Sequence, residues 1–82
     1  MAQKVTYYAL VWPGRQEPTG IVRRREDGQG STDEALQKDM NWHFTPTIVE
    51  WERADSTEEL VEIGEEEASR LIDQFREQWK DL

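Results

Sequence analysis

One histidine, eighteen carboxylates and a run of three arginines are the side chains from which this 82-residue sequence would build acid–base, metal or anion chemistry. His43 stands alone. With no cysteine and no second histidine it cannot complete a zinc ligand set, and no acid lies three or four residues beyond it to orient the ring. It reads as a structural or surface imidazole between Trp42 and Phe44. Asp55, Glu58, Glu59 and Glu62 lie close enough in sequence to gather a hard cation, but the spaced oxygen ligands and central glycine of a calcium loop are missing. General acid–base work needs carboxylates held in a pocket, and with acids this abundant no sequence pair stands out. After Gly28-Gln-Gly30 no Walker lysine or third glycine follows at the spacing a phosphate loop requires, and Asp27, Asp33 and Glu34 would repel phosphate, so the segment reads as a turn. No serine occupies a nucleophile elbow. The expectation is a chain with no catalytic, cofactor-binding or metal-binding residue, and therefore not an enzyme.

Arg23, Arg24 and Arg25, with Arg15 across a hairpin, are the sharpest basic feature. On a strand, alternation sends Arg23 and Arg25 to one face and Arg24 to the other. The cluster is thus split, and cross-strand pairing with acids such as Glu50 or Glu52 is the expected use. Nucleic-acid contact through Arg15 and Arg23 to Arg25 is an alternative.

The net charge of −8 works against that alternative. Up to Ile48 the basic residues Lys4, Arg15, Arg23, Arg24, Arg25 and Lys38 are matched by as many acids, whereas beyond it twelve acids face Arg53, Arg70, Arg76 and Lys80. Glu50, Glu52, Glu58, Glu59 and Glu62, continued by Glu65 to Glu67, make an acidic surface. Within a Debye length of about 8 Å it repels phosphate backbones and anionic lipid. A basic protein is the partner it would suit.

The elements that must position these groups follow from pattern. Residues 5–12 are rich in β-branched and aromatic side chains and stop at Pro13-Gly14, as a strand does before a turn. Residues 21–25 return as its hairpin partner, and 26–30 close that strand. Ser31 followed by Glu34 matches a capping box, so a short helix is expected over 32–39 with Ala35, Leu36 and Met40 inward. Pro46 then forces an extended entry, and 47–53 reads as a strand with Thr47, Val49 and Trp51 on one side and Ile48, Glu50 and Glu52 on the other. A turn at 54–57 and a strand over 59–63 follow. From Glu65 the residues Ala68, Leu71, Ile72, Phe75, Trp79 and Leu82 form one apolar stripe, the mark of an amphipathic helix, and Glu65 to Glu67 suit its positive N-terminal end. The sum is one α+β domain ordered β-β-α-β-β-α: an antiparallel sheet of about four strands with the C-terminal helix on one face.

At this size the core is modest, and without cysteine it rests on packing alone, which fits a reducing cytoplasm. The apolar run near the N-terminus is far shorter than the ~20 residues of a membrane span. No membrane association is expected. The succession Tyr7-Tyr-Ala-Leu-Val-Trp12, Gly20-Ile-Val-Arg-Arg24, Asp33-Glu-Ala-Leu36, Trp42 with Pro46-Thr47, and Leu60-Val-Glu-Ile63 resembles small actinobacterial or phage-associated proteins. That resemblance implies a single bacterial cytoplasmic domain and brings no activity with it.

One helix covers one face of a sheet; the short middle helix and Trp42-His-Phe44, or else a second copy of the chain, would have to shield the other. Tyr8, Leu10 and Trp12 would then stand on an open face bordered by Trp42 and Phe44, and exposed apolar patches of that kind mark interfaces. The sequence therefore points to a non-enzymatic protein-interaction module that self-associates, as a homodimer, through this aromatic face. An acidic inhibitor or nucleic-acid mimic that binds a basic protein is the alternative.

Overall fold

Alternating bulky side chains make Lys4–Val11 a strand, β1, in the computed structural model, which describes residues 3–14, 16–54 and 59–80. Gly14, at φ 82°, takes the turn that follows Pro13, a backbone region open to a residue without Cβ. The Thr19 amide donates to the Leu10 carbonyl at 2.8 Å, and β2 (Gly20–Asp27) runs back antiparallel with Tyr8 opposite Val22. Asp27 Oδ1 then accepts the amides of Gln29 (2.8 Å) and Gly30 (3.1 Å), which folds the chain over Gly28-Gln29 into β3 (Gly30–Leu36). A short turn leads to β4 (Trp42–Phe44), then come helix α1 (Thr47–Glu52), strand β5 (Glu59–Ile63) and helix α2 (Glu65–Trp79). The sheet order is β4-β3-β2-β1-β5, antiparallel throughout.

The chain is thus α+β with one antiparallel sheet and a C-terminal helix, but the sheet has five strands and two middle segments exchange their expected states. The segment expected as a helix over 32–39 is strand β3. Ser31 and Glu34 form no capping box there, because Glu34 faces Arg23 across the hairpin and bonds it. The segment expected as a strand over 47–53 is helix α1. Its entry is set by Thr45, whose hydroxyl meets the Thr47 hydroxyl at 2.6 Å and accepts the Thr47 amide at 3.3 Å. Ile48, expected on the outer side of a strand, is instead fully buried, at 0% exposure. Tertiary packing here overrides the β-preference of Thr47, Ile48 and Val49. Helix α2 forms as expected; Leu82 lies outside the described residues.

Each sheet face has its own core. On one, Ala9, Ile21 and Leu36 pack against Ala68, Leu71 and Phe75 of α2, with Tyr7, Trp42, Ile63, Ile72 and Trp79 around them. On the other, Val22 and Leu60 pack against Ile48 of α1, with Tyr8, Leu10 and Ala35 beside them. The second face is therefore covered in part by a helix of its own, α1, which comes from 47–52 and not from the middle helix expected over 32–39. Among the described residues no helix is long and apolar enough to cross a membrane.

Candidate functional site

The three arginines of β2 each pair with a carboxylate of the same chain, split between the faces as alternation requires, although Arg25 Nε makes no hydrogen bond. On the α2 side Arg23 and Arg25 both contact the Glu34 carboxylate at 2.9 Å. Arg23 also lies 4.1 Å above the Trp42 ring, a cation–π contact, and Trp42 tilts at 53° to Tyr7 with ring centres 6.3 Å apart. On the α1 side Arg24 donates to Asp33 through Nε (2.8 Å) and Nη2 (3.1 Å), and to Glu52 of α1 through Nη2 (3.0 Å) and Nη1 (3.3 Å). The hydrogen bonds to Asp33 and then Glu52 hold its proton more tightly than usual. Arg24 thereby ties the sheet to α1. Arg15 lies outside the described residues.

The aromatic residues expected to share one surface do not share one. Tyr8 and Leu10 are half-buried on the α1 side, and Trp12, 43% exposed, follows the end of β1. Trp42 is half-buried on the α2 side, and alternation puts Phe44, 78% exposed, on that side too. Trp42 and Phe44 therefore border the opposite face from Tyr8.

What the α1 side does assemble is an aromatic pair with carboxylates near it. Trp51, 37% exposed, sits with its ring centre 6.3 Å from that of Tyr8, the planes tilted by 51°. Glu62 of β5 is directly opposite Tyr8 in register, and Glu52 follows Trp51 along α1. The Tyr8 phenol is pushed above its ordinary value of 10.0, first by burial and then by Glu62, with Glu52 and Glu26 adding and Arg24 opposing. Several carboxylates thus project their field onto the same ring. Of the sequence-derived acidic set, Glu50 and Glu52 lie on α1 and Glu62 on the α1 side of β5, whereas Glu59 points to the α2 side. Asp55 and Glu58 lie outside the described residues. A strand over 47–53 sets Trp51 on one side with Thr47 and Val49, apart from Glu50 and Glu52; the helix is what brings it to Tyr8.

The raised phenol has a measurable consequence. A pKa raised on folding means that the neutral form is the favoured one, so its contribution to stability is full below pH 10 and is lost as pH rises through the folded value. Tyrosinate absorbance should show Tyr8 ionising above the free phenol, and Glu62→Gln should move its midpoint down. A midpoint that ignores Glu62→Gln would place that carboxylate away from the ring.

His43 Nε2 lies 2.9 Å from Asp39 Oδ2, and Asp39 Oδ1 accepts the Asn41 amide at 2.9 Å. The Asn41 amide and then His43 hold the Asp39 carboxyl below its ordinary value. The pair braces the turn between β3 and β4. Among the described residues no three His, Cys, Asp or Glu side chains gather as metal ligands would.

Arg70 pairs with Glu67, Arg76 with Asp73 at 2.8 Å and Lys80 with Glu77 at 3.0 Å, all along α2. Among the described residues Glu26, Glu50, Glu59, Glu62, Glu65 and Glu66 form no ion pair, whereas most cations do. Comparison of the chain with protein-family models, with curated proteins and with solved structures finds no match in any of the three, so its function must be argued from its own surface.

Proposed function

We propose that this chain is a non-enzymatic interaction module that binds a basic protein through the acidic flank of α1, β5 and the start of α2. The observation that supports this reading is the uneven neutralisation of charge. Arg23, Arg24 and Arg25 are consumed by Asp33, Glu34 and Glu52, while Glu50, Glu59, Glu62, Glu65 and Glu66 have no basic partner among the described residues. The outward field is negative, and such a field steers and holds cations. It also weighs against contact with nucleic acid through the arginines of β2.

Titration with a lysine- and arginine-rich peptide tests this. Binding should weaken steeply as salt rises, and a gel shift with duplex DNA at low ionic strength should show none. Each of Glu59→Lys, Glu65→Lys and Glu66→Lys should weaken peptide binding up to about five-fold, since an exposed pair is worth at most ~1 kcal/mol. Salt-insensitive binding, or equal binding of an acidic peptide, would sink the proposal.

A homodimer through Tyr8, Leu10 and Trp12 is the second reading, favoured by the exposure of Trp12 and Trp51. A two-fold interface, however, sets each patch against its own copy, so Glu50 and Glu62 would meet like charges. Sedimentation at high concentration decides it: the first reading expects the 9.7 kDa monomer. The second expects a larger species that Leu10→Glu or Trp12→Glu dissociates.

A further inference from the structure

We infer that the Tyr8–Trp51 pair, with Glu62 opposite Tyr8, is the seat for an arginine side chain of that basic partner. The inference rests on the proposed function and names its recognition element. Its argument is a comparison within the molecule. The chain carries two tyrosine–tryptophan pairs, one on each sheet face, and they share nearly the same geometry: ring centres 6.3 Å apart in both, tilts of 53° and 51°. On the α2 side the Tyr7–Trp42 pair holds a guanidinium of its own, Arg23, 4.1 Å above the indole with the Glu34 carboxylate at 2.9 Å. That assembly consists of an indole face, a flanking tyrosine and one carboxylate.

The Tyr8–Trp51 pair repeats those parts. Glu62 on β5 stands directly opposite Tyr8, whereas on the other face Glu34 on β3 stands opposite Arg23, one strand beyond Tyr7's own neighbour, so the parts recur with the carboxylate placed differently. The strand arginine on this face, Arg24, is held instead by Asp33 and Glu52 and is not over either ring. Trp51 keeps a third of its surface exposed, so its indole is open to a side chain arriving from outside. The electrostatics select the sign of that side chain. Burial raises the Tyr8 phenol most; among the neighbouring charges Glu62 raises it most, with Arg24 opposing and Glu52 and Glu26 adding, so Glu62 is the carboxylate whose field an arriving cation would meet at the ring. An aromatic face within about 6 Å of a cation attracts it, tryptophan most strongly and arginine most often. A planar guanidinium can lie on the indole and reach a neighbouring carboxylate with its edge, which a lysine ammonium does less well.

The test titrates the full chain with two peptides of equal charge, one arginine-rich and one lysine-rich, read by the indole N–H resonances. Expected are tighter binding of the arginine peptide and a shift of the Trp51 indole signal. Trp51→Ala should weaken arginine-peptide binding roughly five- to ten-fold, and Trp51→Phe, which keeps a weaker aromatic face, should fall between. Should Trp51→Ala loosen α1, Glu62→Gln against Glu66→Gln keeps the question answerable. Each removes one charge, and Glu62→Gln should cost more affinity. Equal effects of those two variants, or an unmoved Trp51 indole, would overturn the arginine seat while salt-dependent binding leaves the acidic-flank reading standing. Salt-insensitive binding, or none, would take both away.

Discussion

Phe75→Ala should lower the free energy of unfolding by about 3–5 kcal/mol, the range for a buried phenylalanine truncated to alanine. Phe75 is 1% exposed and sits at the centre of the α2 core with Ala9, Ile21 and Leu36 of the sheet. Its ring also stacks on Trp79 one turn on, with centres 4.8 Å apart and planes 7° from parallel, so truncation strips a neighbour as well as leaving a cavity. A domain of this length has roughly 4–12 kcal/mol in hand, so the loss is a large fraction of its stability. Thermal unfolding followed by far-ultraviolet circular dichroism should show a drop of more than about 10 °C. A fall of only a few degrees would mean that α2 contributes far less to the fold than its burial implies.

Arg24→Ala should cost about 2–3 kcal/mol, because it leaves a carboxylate without its cation in a poorly hydrated place. Asp33 has a side chain only 9% exposed, and its two oxygens accept from Arg24 at 2.8 and 3.1 Å. Glu52, half exposed, can turn to water, so Glu52→Gln should change stability by less than about 1 kcal/mol. Lysine cannot reproduce a fork that reaches two carboxylates, and Arg24→Lys should recover only part of the loss. The telling combination is Arg24→Met with Asp33→Leu, which removes both charges and should restore most of the stability in urea unfolding. If that double variant is as weak as Arg24→Ala, the cost lies in packing, not in the stranded charge.

The strands β1 and β2 and helix α2 were legible because each carries a run or period long enough to name its state, and β5, only five residues long, because a turn before it and Gly64 after it bound its apolar residues. The exchange at β3 and α1 shows where pattern runs out. A six-residue segment such as Thr47–Glu52 offers too few positions to separate a period of two from one of 3.6, and its β-branched start leans the wrong way. Ser31 and Glu34 satisfy a helix-start rule by spacing alone, yet a second signal was present in the same stretch. Arg23 with Glu34 and Arg24 with Asp33 are mirror-placed about Gly28-Gln29, so a hairpin turning there sets opposite charges face to face. That ladder outweighs one cap.

The candidate site was legible only in pieces. Tyr8 was visible as aromatic strand surface, and Glu52 and Glu62 as acidic surface, but nothing linked them. Only the helical state of α1 brings Trp51 to Tyr8. A misread element thus hid one residue, and with it the grouping.

The borders of the sheet bear on how the molecule behaves in a crowded solution. At one border stands β4, three residues long; at the other is β5, which carries Glu59 and Glu62. A short rim gives an incoming strand little to grip, and a negatively charged one repels an identical strand. Copies of this chain are consequently discouraged from zipping side by side into a fibre, while a positively charged extended segment meets no such resistance along β5.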